Sequence, residues 1–263
     1  MNKTLVFDIE TIPDVEGLRK LHGLGAEIAD RDVAEMAFQL RRQVSGSDFL
    51  PLHLHRVVVI SCALRERDSF KVWSLADDAG DDEGLLIQRF FDGIDKYTPQ
   101  LVSWNGGGFD LPVMHYRGLI HGVNAARYWD MGEGDYKDSR DFKWNNYISR
   151  YHSRHLDLMD LLAMYQPRAN APLDQIAQLM GLPGKLGMDG SAVWDAYQDG
   201  KIADIRNYCE TDVANTYLVF LRFQLMRGVL TAEQHRAECD LVRATLGKSS
   251  GPHWKEFLLR WQA

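Results

Sequence analysis

The residues with the clearest capacity for chemistry lie at the start of the chain. Lys3-Thr4-Leu5-Val6-Phe7-Asp8-Ile9-Glu10-Thr11 reads as a short apolar strand that ends in two carboxylates. Strand side chains alternate in direction, so Asp8 and Glu10 share one face at the edge of a buried core. Charge of one sign is costly there unless a cation compensates it, and hard divalent ions take carboxylate oxygens. The alternative is a strand end that reaches water and leaves both acids solvated. A third acid, Asp110, follows Asn105-Gly106-Gly107-Gly108-Phe109 after the short apolar strand Leu101–Trp104. The glycines permit a sharp turn, and Asp110 is expected at a helix N-cap with Pro112 in the first turn. It either caps that helix or delivers a carboxylate beside the strand end. Far downstream, Asp204–Thr216 reads as a helix on which Tyr208 and Asp212, four apart, share a face.

These residues need a scaffold, and the composition describes an ordinary one. The chain has 263 residues, 45% hydrophobic and 25% charged, enough for one large domain or two small ones. No run approaches the roughly 18 apolar residues of a membrane span, and no apolar signal core follows Met1, so a cytoplasmic protein is expected. Cys62, Cys209 and Cys239 are scattered, suggesting neither a disulfide framework nor a zinc site. A net charge of −7 argues against a basic nucleic-acid coat but not against an enzyme acting on nucleic acid, which needs only a local basic track.

Between the motifs, residues 15–50 have helical spacing at Leu18–Leu21 and Val33–Arg41 and read as an excursion with one or two helices. Arg56–Leu64 is a buried strand, and Ser69–Ser74 alternates and pairs with it through a turn at Arg65–Asp68. His53 and His55 precede that strand, where a structural role is expected over metal ligation. Ala76–Glu83 is an acidic loop before a helix over Glu83–Tyr97. Residues 123–155 are irregular. The later part interleaves Lys143, Arg150 and Arg154 with Trp144, Tyr147 and Tyr151, a pattern suited either to single-strand binding or to an aromatic hairpin packed on the core. His155–Asp160 reads as a strand entering a helix, with Asp157 supporting the site and Asp160 as a cap. Pro172–Gly181 reads as a helix, followed by a loop carrying Lys185, which either reaches a phosphate or is solvated. One domain is expected, with its core over about 1–227 and a helical tail over 228–263.

Taken together, Asp-x-Glu on the first strand, Asn-x3-Phe-Asp at a strand-to-helix turn and Tyr-x3-Asp on a late helix resemble the DEDDy group of 3′–5′ exonucleases. The chain is most similar to the stand-alone bacterial proteins described as predicted polymerase-B-like 3′–5′ exonucleases. Phe49–His53 and Gly184-Lys185 also fit that group. The resemblance implies a ribonuclease H-like α/β fold: a mixed central sheet flanked by helices, here with helical and aromatic-rich insertions. It further implies that Asp8, Glu10 and Asp212 are the main ligands of two Mg²⁺ or Mn²⁺ ions, with Asp8 bridging them. Asp110 would reach the second ion through water, and Tyr208 would orient the attacking water. Thr11, Asn105, Phe109, Trp144 and Lys185 are the candidate substrate-binding residues. The related DEDDh group carries a histidine five residues before the last Asp, where this chain has Asn207. The three-glycine spacer between Asn105 and Phe109 is longer than the two-residue version often seen.

The expected activity is metal-dependent removal of nucleotides from a single-stranded 3′ end, with DNA favoured. Competing with it are a catalytically silent nucleic-acid-binding or partner-docking module and a 3′–5′ exoribonuclease on short RNA. No polymerase motif is present, so a proofreading or repair role requires a separate polymerase or repair partner.

Overall fold

The computed structural model describes residues 3–76 and 82–262; most of the acidic loop expected over 76–83 lies outside them. The first strand, β1 (Thr4–Pro13), leads into two helices, α1 (Val15–His22) and α2 (Asp30–Ser45). An antiparallel hairpin follows, β2 (His55–Glu66) and β3 (Ser69–Ala76), then α3 (Glu83–Tyr97), β4 (Gln100–Ser103) and α4 (Asp110–His121). A short helix α5 (Ser139–Phe142) precedes β5 (His155–Asp157), α6 (Leu158–Leu162), α7 (Leu173–Leu179) and α8 (Val193–Gln198). Three longer helices close the chain: α9 (Ile202–Met226), α10 (Ala232–Leu246) and α11 (Pro252–Arg260).

The five strands form one mixed sheet in the order β3-β2-β1-β4-β5. β1 is antiparallel to β2 and parallel to β4, and β4 is parallel to β5. Alternation along β1 sorts its side chains into two cores. Leu5, Phe7 and Ile9 pack with α3 and α4, whereas Val6 packs with α9 and with α10 and α11 behind it. Asp8 and Glu10 therefore continue the α9 face. The β1–β2 register shifts between Glu10 and Thr11, so Glu10 opposes Val59 and Thr11 opposes Val57, with Val58 the extra residue on β2. Such a bulge bends the strand and re-aims the side chains beyond it.

The excursion over residues 15–50 contains both helices. Arg19 ties its loop together by donating to the carbonyls of Gly25 and Ile28, each at 2.6 Å, and to Asp30 at 2.7 Å. Asp14 caps α1 and also takes a 2.5 Å bond from Arg117, which grips Glu83 with its remaining nitrogens. The base of the excursion is thus fastened to α3 and α4 by a buried arginine with two acidic partners.

Two local expectations are corrected. Asp110 is the first residue of α4 rather than its cap, and its carboxylate accepts the backbone N–H of Ile9 at 3.1 Å. β4 pairs with β1 only as far as Val6, so beyond it the β1 backbone needs an acceptor, and Asp110 supplies it. Asp160 does not cap α6; Asp157 does, while Asp160 pairs with Arg150 at 2.5 Å.

The glycine turn before α4 is shaped by contact. A Cβ on Gly106 would lie 2.3 Å from Oγ and 2.5 Å from Cβ of Ser103, whereas one on Gly107 would lie 3.2 Å from Asp157. Gly106→Ala should lower unfolding free energy by about 1–3 kcal/mol, because the Ser103 Cβ cannot swing away. Gly93→Ala, in α3 with nothing within 4 Å of the new carbon, should raise it by roughly 0.5–1 kcal/mol. Urea denaturation of the two variants checks the contrast.

Candidate active site

The site is built where the parallel strands end. β1 carries Asp8 and Glu10 to that edge, and the turn after β4 starts α4 beside it with Asp110 as its first residue. α9 crosses the same face and brings in Tyr208, Cys209 and Asp212. Asp157, at the end of β5, accepts the N–H groups of Asn105 at 2.9 Å and Gly107 at 2.8 Å and so holds the glycine turn under Asp110.

All four acids are held above the ordinary carboxylate range. Burial is the main cause for Asp8, with Asp110, Glu10 and Asp212 adding like-charge repulsion. Burial also raises Glu10, with Asp212 and Asp110 repelling it and Lys185 opposing the shift. Burial pushes Asp110 up to about 7 against the bonds it accepts from backbone N–H groups. Asp212 is likewise pushed to about 7 by burial, countered by Lys185 and by a hydrogen bond from Tyr208. The Tyr208 phenol is raised far above its usual value, first by burial and then by Asp212, so it stays protonated.

Lys185 sits 5.7 Å from the Tyr208 ring centre. Its loop is pinned from two sides: Asn215 of α9 donates to the Gly184 carbonyl at 2.9 Å, and Asp174 accepts the Lys185 N–H at 2.8 Å.

The donor set suits a hard divalent ion. Ligand atoms of Asp8, Glu10 and Cys209 lie within 4.8 Å of one another, with the carboxylates of Asp110 and Asp212 repelling them closely enough to raise their pKa values. Burial and the neighbouring Asp8 hold the Cys209 thiol well above its ordinary range, so it remains a proton donor, 3.4 Å from Asp8 Oδ2. The oxygens are left as the natural ligands.

A cleft of about 850 Å³ opens from Glu10, walled by Thr11, Phe49, His55 and Phe109 on one side and by α2 and Trp194 on the other. Phe109 packs on His55 and Phe49 at ring-centre distances of 5.2 and 5.7 Å. The Leu50 carbonyl accepts from His55 Nε2 at 3.1 Å, which leaves Nδ1 to accept from the Thr11 hydroxyl at 2.9 Å. Burial lowers the His55 pKa, consistent with this neutral ring.

The structure therefore brings Asp8, Glu10, Asp110, Tyr208, Asp212 and Lys185 together and places Thr11 and Phe109 on the cleft. It places Trp144 elsewhere, and Asn105 in the turn that carries Phe109 and Asp110. Asn105, at a φ of +66°, turns its side chain over Gly108. Trp144 is 77% exposed, in a segment bonded to the entry ends of β4 and β5, opposite the carboxylates. Its segment is no hairpin. Phe142 and Tyr147 are buried, and Arg154 stacks over Phe142 at 3.6 Å. Sequence reasoning missed Phe49, His55 and Cys209 as site neighbours. The one signal for Cys209 was its position directly after Tyr208 and three before Asp212.

A mixed sheet with acids at the ends of parallel strands and on a crossing helix is the architecture of the ribonuclease H-like exonucleases. The chain belongs to the family described as predicted 3′–5′ exonucleases related to the exonuclease domain of PolB, which matches residues 47–261. Asp110, Tyr208 and Asp212 fall inside that match, and Asp8 and Glu10 precede it. The chain is 28% identical over 152 residues to the catalytic subunit of DNA polymerase epsilon from Saccharomyces cerevisiae. It is 26% identical over 149 residues to the corresponding polymerase of Kluyveromyces lactis. Each match covers 54% of this chain and 6% of the polymerase. Its fold superimposes on a family B DNA polymerase of Pyrobaculum calidifontis with a TM-score of 0.53 and 17% identity, covering 99% of this chain and 29% of that one. Among the described residues no helix is long and apolar enough to cross a membrane.

Carboxylates whose pKa values rise on folding keep protons that the unfolded chain sheds, so their contribution to stability falls as pH rises from about 4 to about 7. In EDTA, wild type should lose more thermal stability than Asp212→Asn between about pH 5 and about pH 8. Mg²⁺ or Mn²⁺ added at the higher pH should raise the wild-type midpoint by linkage. Calorimetry with and without metal measures both effects.

Proposed function

We propose that this chain is a metal-dependent 3′–5′ exonuclease that hydrolyses the terminal phosphodiester of a single strand and releases nucleoside 5′-monophosphates. The observation that carries this reading is the meeting of Asp8, Glu10, Asp110 and Asp212 with a protonated Tyr208 at the mouth of a cleft. Asp8, Glu10 and Asp212 would hold two divalent ions, Mg²⁺ or Mn²⁺, with Asp110 acting through water. Such ions supply Lewis acidity and neutralise the charge that develops on the attacking and leaving oxygens.

The remaining work falls to the chain itself. The Tyr208 hydroxyl donates to Asp212, which leaves its oxygen to accept a hydrogen bond from the attacking water and aim that water at phosphorus. Lys185 places an ammonium beside the acids, where it would oppose the charge of a substrate phosphate. Thr11, Phe49 and Phe109 offer a hydroxyl and two rings to the sugar and base of the terminal nucleotide. DNA is favoured because the matched relatives are DNA polymerases. This chain spans only a small part of them, and a polymerase or repair factor is the partner we propose for a proofreading or repair role.

A time course on 5′-labelled DNA and RNA oligomers in Mg²⁺, Mn²⁺ or EDTA tests the reading. A metal-dependent ladder shortening from the 3′ end is expected, faster on DNA; faster RNA cleavage would make the chain an exoribonuclease. Asp8→Ala and Asp212→Ala should abolish the ladder with the fold intact, and Tyr208→Phe should slow it on the order of 10²-fold. A fully active Asp212→Ala variant would sink the assignment. Strand binding without cleavage under any metal would leave a docking module.

A further inference from the structure

A row of polar side chains crosses the sheet from Asp8 to the last helix. Ser61 faces Asp8 across the β1–β2 ladder, and Ser74 faces Ser61 across the β2–β3 ladder. The two serine hydroxyls are 2.8 Å apart, although Ser61 is fully buried and its same-face neighbours on β2, Val59 and Ala63, are apolar. Above the row, α9 contributes two consecutive residues. The Cys209 thiol donates to Asp8 and lies within reach of the Ser61 hydroxyl, while Ser74 donates to Glu210 at 2.8 Å. Glu210 in turn pairs with His253 Nε2 of α11 at 3.0 Å.

Three hydrogens serve this row between two carboxylates. The thiol hydrogen goes to Asp8 and the Ser74 hydrogen goes to Glu210, which leaves the Ser61 hydrogen to join the halves through either sulfur or oxygen. Burying these hydroxyls would cost about 1–3 kcal/mol each if unpaired, and alanine or valine would fill the same face without that liability. Packing alone gives no reason for a polar row here. Its inner end gives one, since it reaches the carboxylate that the nuclease reading makes the bridging ligand.

We infer that Cys209 and Ser61 are positioning residues for Asp8, and that the row through Ser74, Glu210 and His253 anchors this orientation to the C-terminal helix. Outer partners of a metal-binding carboxylate fix its rotamer and set affinity for the ion, typically by 10–100-fold. The role rests on the exonuclease reading above, and its test is a binding measurement that needs no substrate. Mn²⁺ is titrated into the whole chain without nucleic acid, with free ion followed by electron paramagnetic resonance. Cys209→Ala should weaken binding about 10–100-fold, Cys209→Ser should restore most of it, and Ser61→Ala and Glu210→Gln should fall between. In cleavage assays the same variants should show a lower kcat that higher Mn²⁺ recovers, with KM for the oligomer unchanged. Circular dichroism and melting in EDTA confirm folding; if Cys209→Ala does not fold, Glu210→Gln at the far end decides. Equal Mn²⁺ affinity in the folded variants, with wild type binding and cleaving, overturns the positioning role alone. Wild type that binds no Mn²⁺ overturns it together with the exonuclease reading.

Discussion

Mutual repulsion among buried and half-buried carboxylates is the constraint on which the rest of the structure depends. Oxygens of Asp8 and Glu10 lie within 4.8 Å, and at an effective dielectric of about 20 a charged pair at that distance costs on the order of 3 kcal/mol. Stabilities of whole domains are about 5–15 kcal/mol, so a few such pairs rival everything else that holds a chain together. The fold nevertheless drives four acids to one edge, where among the described residues Lys185 is the ammonium that opposes their charge. Protons or cations must make up the difference. The raised pKa values of the acids and the all-oxygen ligand set are two expressions of that one deficit.

Holding repelling groups in place requires rigid supports, and each acid has one. β1 is laddered to β2 through Asp8 and Glu10, and on its other side, beyond the last pair with β4 at Val6, the Ile9 N–H is tied to Asp110, so both acids sit on a backbone held from two sides. Asp110 is locked by its bond to Ile9 and by the glycine turn that Asp157 holds from beneath. Asp212 lies on the longest helix, whose flank is covered by α10 and α11 through Val242, Leu246, Trp254 and Phe257. The far wall of the cleft is held differently. α2 is seated by Val33 and Ala37 against Leu18 and Leu50, while its bridge across the cleft, Arg31 to Asp195, is exposed and worth no more than about 1 kcal/mol. The carboxylate edge is fixed, and the far wall of the cleft is only lightly tied to its opposite side.

Much of this was legible in the sequence because it depends on local pattern. The alternation of Leu5, Phe7 and Ile9 against Asp8 and Glu10 requires only strand geometry, and the helix over Glu83–Tyr97 follows from its apolar spacing. The position of Asp110 was legible to within one residue. Its actual bond, to a β1 backbone group left open where β4 stops, depends on a strand length that no local signal reports. Trp144 shows the opposite case. Cations and rings alternating in sequence resemble a stacking platform, yet Arg154 is spent on Phe142 and Arg150 on Asp160, and the segment lies at the wrong end of the sheet. Local composition says which interactions are possible and is silent about which partner is nearer. Cys209 was invisible as a neighbour of Asp8 because 201 residues separate them.

That separation bears on how the carboxylate cluster is assembled. The ladder between β1 and β2 spans a 42-residue interval from Pro13 to His55, and β1 also pairs with Gln100–Val102. Contacts of such range close slowly, since each loop must lose its entropy before it gains a bond. The acids on β1 have no partner on α9 until nearly the whole chain has been made and collapsed. A ribosome-bound fragment that ends before α9 lacks Tyr208 and Asp212, and the four acids meet only once that helix has docked. Under the exonuclease proposal, destructive chemistry is in this way withheld until α9 is in place.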